Sequence, residues 1–237
     1  WRTDGTVAGT YRVIDIQPGP NMGDPRDLVE MNGKVYFTAT DGVMVHGFEL
    51  WCSDGTAAGT QMVKDIRPGF QSSLVGFIEA MDDHILFFAG DGIVESALWR
   101  SDGTAAGTVV VKDIRPGSSL EDIAGVIRAG DSIYFEANDG VSGRELWTSD
   151  GTTAGTRLVA DINPGPGDSS PYQMTEFNGV VYFAANDGVT GFEMWRSDGT
   201  AAGTSLFMDM LPGPAWGYAN DYKVAGTRLF FEAYDNA

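Results

Sequence analysis

The stretch that decides the fold is residues 195–204, which read WRSDGTAAGT. Close variants of this ten-residue phrase open at five tryptophans, spaced 50, 48, 48 and 48 residues apart. These starting residues are Trp1, Trp51, Trp99, Trp147 and Trp195. Self-similarity at a fixed period of this length is the signature of a repeat protein, in which each repeat packs against its neighbours. The sequence therefore predicts a single repetitive domain over residues 1–237.

The similarity between the copies extends well beyond the ten-residue phrase, because further residues recur at constant distances from each tryptophan. In the copy that begins at Trp147, Asp161 follows after 14 residues, Pro164-Gly165 comes next, and the apolar triplet Val181-Tyr182-Phe183 is centred 35 residues on. The other copies carry an aspartate, a Pro-Gly pair and apolar residues at the same offsets. Each repeat is thus built from the same series of strands and turns.

Each repeat reads as four short strands. In the fourth repeat these are residues 170–178, 180–185, 192–196 and 205–210. Asn178-Gly179 between the first two predicts a two-residue hairpin turn, because both central positions of a type I′ turn need a positive φ. Four short strands at regular spacing, with turn residues between them, are typical of a β-propeller blade.

One segment carries a competing pattern. Its apolar residues fall at helical spacing, but the equivalent segments of the other repeats do not share it. These residues are Leu120, Ile123, Ala124 and Ile127. We therefore expect an all-β fold and keep a helix here as the alternative.

The repeated phrase resembles the bacterial ELWxxDGT repeat. The segments Glu49–Thr56, Glu145–Thr152 and Glu193–Thr200 match it, the last with Met194 in place of leucine, whereas the third copy has Ala97 in place of the glutamate. The resemblance covers essentially the entire chain. It implies tandem blades of a β-propeller in a large secreted or surface-exposed bacterial protein, and it supplies no catalytic residues.

The number of blades follows from the strands present. The chain starts within a third strand and its last repeat stops after a second strand, so the N- and C-terminal segments together make one composite blade. With four complete blades this predicts a closed five-bladed propeller, which removes the open sheet edges. The alternative is that the chain is part of a longer array, for example a seven-bladed propeller.

Composition excludes several function classes. The net charge is −18, which argues against unaided binding to nucleic acid or to an anionic membrane. No apolar run is long enough to span a bilayer. The single cysteine, Cys52, excludes an internal disulfide framework, and two histidines are too few for a histidine-rich metal centre.

The aspartate of the SDGT loop recurs in all five copies. We expect it to accept hydrogen bonds from loop amides, with five equivalent ligand or metal sites as the alternative. We expect the repeated tryptophan to pack between adjacent sheets, with an exposed sugar-stacking platform as the alternative.

The Asp-Gly loops between the second and third strands are a weak calcium candidate, because calcium prefers oxygen ligands. The residues concerned are Asp41, Asp139, Asp187, Glu145 and Glu193. A role in the turn alone is the simpler interpretation, so no metal site is assigned and calcium remains a possible cofactor.

The least repetitive residues lie in the connectors between repeats, where a ligand is most readily recognised. Aromatic rings beside carboxylates and amides suit a sugar. The candidate ligand-binding residues are Trp216, Tyr218, Tyr222 and Asp221 in the last connector, Asn21 and Asp24 in the first, and His46 in the two-residue insertion. If the ring closes, the first and last connectors lie near each other. Packing of Trp216 and Tyr218 against the blades is the competing interpretation.

The sequence predicts a non-catalytic binding propeller that presents this face to a glycan or a protein partner. One alternative is an enzyme of the glycoside-hydrolase type with carboxylates at the central channel, since 33 acidic residues leave many possible pairs. The other alternative is a structural subunit of a larger assembly.

Overall fold

The computed structural model describes residues 1–42, 44–117 and 123–234, and these ranges contain strands and turns but no helix. No candidate membrane-spanning helix therefore occurs in them. The all-β prediction is confirmed. The helical alternative is wrong for Ile123, Ala124 and Ile127, which lie in a strand, while Leu120 lies outside the described residues.

The strands form four antiparallel four-stranded sheets and one two-stranded hairpin. The first sheet comprises β1 (Arg26–Met31), β2 (Lys34–Ala39), β3 (Glu49–Ser53) and β4 (Gln61–Lys64). The second comprises β5 (Gly76–Ala80), β6 (Ile85–Ala89), β7 (Ala97–Ser101) and β8 (Val109–Lys112). The third comprises β9 (Ile123–Ala129), β10 (Ser132–Asn138), β11 (Arg144–Ser149) and β12 (Arg157–Ala160). The fourth comprises β13 (Tyr172–Phe177), β14 (Val180–Asn186), β15 (Phe192–Ser197) and β16 (Ser205–Met208), and the hairpin comprises β17 (Asn220–Ala225) and β18 (Arg228–Glu232).

The predicted strands of the fourth repeat are confirmed to within two residues at every boundary. The predicted hairpin turn is confirmed as well, since Asn178 has a φ of 55° and Gly179 a φ of 79°. Both values lie in the left-handed region, which asparagine and glycine tolerate better than other residues.

The chain divides into two compact units, Trp1–Leu120 and Glu121–Ala237. The first unit holds the first two sheets and an N-terminal segment in which Arg2 and Tyr11 form an antiparallel bridge. The second unit holds the third and fourth sheets and the hairpin β17–β18.

Within each unit the two sheets pack through apolar faces. In the first unit, Tyr36 and Leu50 of the first sheet share a buried cluster with Phe87 and Trp99 of the second. In the second unit, Trp195 packs against the corresponding cluster of the third and fourth sheets. The predicted packing role of the repeated tryptophan is confirmed at these two positions.

The SDGT loop closes on itself through hydrogen bonds. In the third copy, Asp102 Oδ1 accepts hydrogen bonds from the backbone nitrogen of Thr104 at 2.8 Å and from its hydroxyl at 2.7 Å. Thr104 Oγ1 in turn accepts the amide of Gly107 at 2.9 Å. The same aspartate contacts occur in the other four copies. These hydrogen bonds lower the pKa of Asp102 and confirm its predicted part in the turn.

A buried glutamate ties the following connector to the first, third and fourth sheets, whereas the second sheet has Ala97 at the equivalent position. Glu145 is fully buried at the start of β11 and accepts the amide of Ile162 at 2.9 Å and that of Ser169 at 3.1 Å. Its carboxylate thereby holds both ends of the connector that joins the third sheet to the fourth. Glu49 makes the equivalent bonds in the first repeat, to Ile66 and Ser73.

Candidate functional site

Five aromatic side chains in the second unit form a continuous row of ring contacts, which we call the aromatic row. Its members, in order of contact, are Tyr172, Phe192, Trp216, Tyr218 and Tyr234. Successive ring centroids are 5.5, 5.0, 5.3 and 5.8 Å apart, with interplanar angles between 63° and 77°. Edge-to-face contacts of this kind are attractive, because the positive ring edge meets the negative ring face.

Three members of the row present ring surface to solvent. Trp216 is 46% exposed, Tyr218 is 39% exposed and Tyr234 is 60% exposed. Tyr172 and Phe192 are half-buried and continue the row from Trp216 towards the interior. The row therefore has an exposed end of three rings and a half-buried end of two.

The backbone under the row is fixed by a buried carboxylate. Glu193, at the second position of β15, accepts the amide of Met210 at 2.7 Å and the amide of Gly217 at 2.9 Å. Gly217 lies between Trp216 and Tyr218, and its carbonyl accepts the amide of Tyr234 at 2.7 Å. A Cβ atom at Gly217 would overlap Glu193 and Met210, so the close approach requires glycine here.

Tyr218 occupies a strained backbone position, with a φ of 47°. The equivalent residues Asp24, Leu74 and Ser170 also have a positive φ, so the fold imposes this conformation on each of these connectors. For a residue with a Cβ the left-handed region costs about 1–2 kcal/mol. A glycine would relieve that strain. The backbone conformation therefore does not require tyrosine at position 218, and the role of this residue lies in its side chain.

Tyr222 and Asp221, also predicted in this connector, lie in β17. Tyr222 is only 4% exposed and packs with Met194 and Ala219, so it belongs to the core and not to the exposed row. Burial raises the pKa of Tyr222. Asp221 is exposed, with a φ of 53° at an irregularity of the β17–β18 pairing.

Asn21 and Asp24 belong to the first unit. Asn21 is exposed, and Asp24 forms an ion pair with Arg26. Their predicted proximity to the last connector stays a prediction. His46 is also in the first unit, where its Nδ1 lies 2.8 Å from Asp41 Oδ2, and this hydrogen bond raises the pKa of His46.

The calcium candidates are engaged in protein hydrogen bonds. Asp139 Oδ1 accepts the amides of Val141 and Ser142, each at 2.8 Å, and Asp187 Oδ1 accepts two amides in the same way. Glu145 and Glu193 hold their connectors. Among the described residues no group of three or more His, Cys, Asp or Glu side chains is arranged to hold a metal ion. Calcium therefore stays a prediction without support from this geometry.

Sequence reasoning missed Phe192, Tyr172 and Tyr234 as parts of the site. Phe192 directly precedes the Glu-Met-Trp motif at 193–195, at a position that varies between the repeats. An aromatic residue at this position was the sequence signal that could have identified it as part of the site. Sequence reasoning also missed the anchoring role of Glu193. The signal for it was the constant spacing of 17 residues between the glutamate and the amide just after the fourth strand.

Comparison with known proteins defines the fold only. No family model and no curated protein matches the chain. Among solved structures it resembles the computationally designed Ika8 protein, with 13% identity and a TM-score of 0.50 over 92% of this chain and 57% of that one. It also resembles a puromycin hydrolase, with 16% identity and a TM-score of 0.55 over 89% of this chain and 34% of the hydrolase.

A puromycin-hydrolyzing peptidase from Mycobacterium tuberculosis is similar too, with 11% identity and a TM-score of 0.54 over 88% of this chain and 33% of the peptidase. The chain thus spans between one third and somewhat more than half of the length of these proteins. The likeness supports a β-propeller-like architecture of repeated four-stranded sheets.

The buried anchors predict an unusual dependence of stability on pH. Burial raises the pKa of Glu49 and of Glu145 from about 4.5 to about 7. The folded state therefore binds more protons than the unfolded state between these values, and the free energy of unfolding falls as the pH rises through this window. The loss of folding free energy for one carboxylate is at most about 3.5 kcal/mol, since one pKa unit corresponds to about 1.4 kcal/mol.

Urea unfolding at intervals between pH 5 and pH 8 measures this loss. Glu145→Gln keeps the side-chain size but does not titrate, so it should reduce the slope while lowering stability overall. The exposed Glu30→Gln should leave the slope unchanged. Equal slopes in Glu145→Gln and the unmodified chain would contradict this account.

Proposed function

We propose that this chain is a non-catalytic binding module that engages a glycan or a protein partner through the aromatic row. The observation that carries the proposal is the exposure of Trp216, Tyr218 and Tyr234 on a connector whose backbone is held by Glu193. Aromatic rings fixed in advance offer a large contact area at low conformational cost, which is why they dominate binding surfaces. The repeated polar residues support the non-catalytic part, because they serve the loops and the connectors.

The proposal includes membership of the bacterial ELWxxDGT-repeat proteins and a secreted or surface location. The structure gives the motif a physical meaning that supports this assignment. In the copy at residues 145–152, Glu145 anchors the connector, Trp147 is buried, and Asp150 closes the loop by accepting hydrogen bonds from Thr152.

We also propose that the N-terminal segment and the hairpin β17–β18 join as a fifth, composite blade that closes the ring. The repeat equivalences support this. In the first unit, Trp99 of β7 packs against the face of the first sheet formed by Tyr36 and Leu50. In the second unit, the equivalent face beside β17–β18 borders a cavity of about 310 Å³, and no tryptophan occurs among the described residues that line it. Trp1 is its counterpart in sequence and is 84% exposed.

The first unit likewise has an uncovered face, and the ring that would cover it belongs to the hairpin β17–β18 of the second unit. A cavity of about 450 Å³ lies between the N-terminal segment and the first sheet and is lined by Val35 and Phe37, among others. The residue that would face it is Phe230, the counterpart of the buried Tyr36, and Phe230 is 53% exposed. Burial of the exposed Trp1 and Phe230 rings by closure would each stabilise the folded state by about 2–3 kcal/mol.

A designed disulfide tests closure. In the complete sheets, Val35 pairs with Ser53 and Ile133 pairs with Ser149, and the equivalent pair across the composite blade is Leu229 and Thr3. In a Cys52→Ser background, Thr3→Cys with Leu229→Cys should form an intramolecular disulfide, detected by mass and by electrophoretic mobility of the monomer. Failure to crosslink, or crosslinking only between molecules, would contradict closure.

Binding itself is tested on immobilised panels of glycans and of peptides. Trp216→Ala should weaken binding to the ligands found by about tenfold or more, because truncation of a central aromatic residue typically costs more than 1 kcal/mol. Phe70→Ala, which removes an exposed aromatic ring from a connector of the first unit, should have no effect. Ligands that bind Trp216→Ala as tightly as the unmodified chain would contradict the proposed site.

A further inference from the structure

The spacing of the rings limits what the aromatic row can bind. Trp216 contacts Phe192 on one side and Tyr218 on the other, at centroid distances of 5.0 and 5.3 Å. Rings in direct contact leave no space between them for a cation, which in an aromatic cage lies over the face of each ring. The row instead offers an outward surface on which a flat ligand could stack.

The local charge limits the ligand further. The connector from residue 209 to residue 222 contains no lysine or arginine and carries Asp209 and Asp221, and the exposed Lys223 follows it in β17. The whole chain has a net charge of −18. An anionic ligand would therefore approach an unfavourable potential without a cation to pair with in this segment. Sulfated, sialylated and uronic-acid glycans are disfavoured for this reason.

The polar groups carried by the row suit a neutral ligand rich in hydroxyl groups. Tyr218 and Tyr234 are exposed and each has a hydroxyl that can both donate and accept a hydrogen bond. Asp221, exposed in β17, adds carboxylate acceptors on the strand that follows the row. A ligand with an apolar ring face and a hydroxyl-bearing edge matches both kinds of group.

The rigidity of the connector favours such a weak-contact ligand. The amide of Gly217 is bonded to Glu193 at 2.9 Å and to the carbonyl of Phe192 at 3.1 Å, so Trp216 and Tyr218 are held by their shared neighbour. Little backbone ordering then remains to oppose binding. We infer that the aromatic row binds a neutral saccharide, with the exposed rings of Trp216 and Tyr218 stacking on sugar faces. This inference rests on the proposed function and names its ligand class.

The test compares four sets of probes against the full chain by calorimetry. They are neutral hexose oligosaccharides of several linkages, sialylated oligosaccharides, uronic-acid oligosaccharides, and basic peptides. We expect binding within the neutral set alone. Trp216→Ala should weaken it at least tenfold, and Trp216→Ala combined with Tyr218→Gly should abolish it.

The second substitution separates binding from folding. Because Tyr218 has a φ of 47°, the backbone strain that glycine relieves offsets the lost ring contacts with Trp216 and Tyr234. The melting temperature should therefore change by no more than a few degrees while a stacking ring is removed. Phe70→Ala is the matched control and should bind normally. Binding of a basic peptide or an acidic glycan that Trp216→Ala removes would overturn the neutral-saccharide inference and leave the proposed site intact. Absence of any ligand whose binding depends on Trp216 would overturn both.

Discussion

The structure depends on a buried carboxylate that is balanced by backbone amides and not by a cation. Glu49, Glu145 and Glu193 are each fully buried at the start of a third strand and each accept amide hydrogen bonds from both ends of the following connector. Burying an ionised carboxylate is costly unless its oxygens are hydrogen-bonded. Here, charge-assisted bonds offset part of that cost, and burial still raises the pKa of Glu49 and of Glu145 to about 7. The same bonds satisfy amides that would otherwise be buried without partners. One side chain thereby sets the path of a segment that has no regular structure of its own.

The buried carboxylate of Glu193 also determines the geometry of the aromatic row. Because Glu193 bonds to Gly217, the backbone on either side of that glycine is fixed, and the rings of Trp216 and Tyr218 are held at its two flanks. The left-handed conformation of Tyr218 is common to several connectors, so the aromatic side chain is the part specific to this repeat. The fold supplies a rigid and repeated frame, and single side chains at the variable positions decide what each connector presents.

The sequence was informative wherever the repeat itself carried the signal. The period, the apolar triplets and turns such as Asn178-Gly179 predicted the sheets, because local hydrophobic pattern and turn chemistry determine short antiparallel strands. The hydrogen bonds of the SDGT loop were also predicted, because an aspartate can accept a hydrogen bond from the backbone amide two residues further along the chain. The row was only half foreseen. Trp216 and Tyr218 were chosen for their chemistry, whereas Phe192 and Tyr172 join them through contacts between distant residues, which no local pattern encodes. Tyr222 could not be separated from its exposed neighbours, since burial depends on how β17 packs against Met194.

Hydrogen exchange at single amides tests the central claim most directly, because the chain contains its own control. The second sheet has Ala97 where the first, third and fourth sheets have the anchoring glutamate, and a methyl group offers no acceptor to the amide of Ile114. The account predicts slow exchange at Ile66, Ile162 and Met210, whose amides bond to Glu49, Glu145 and Glu193, and exchange at least tenfold faster at Ile114. Equal protection at all four amides would contradict the claim that the buried carboxylate holds the connectors in place.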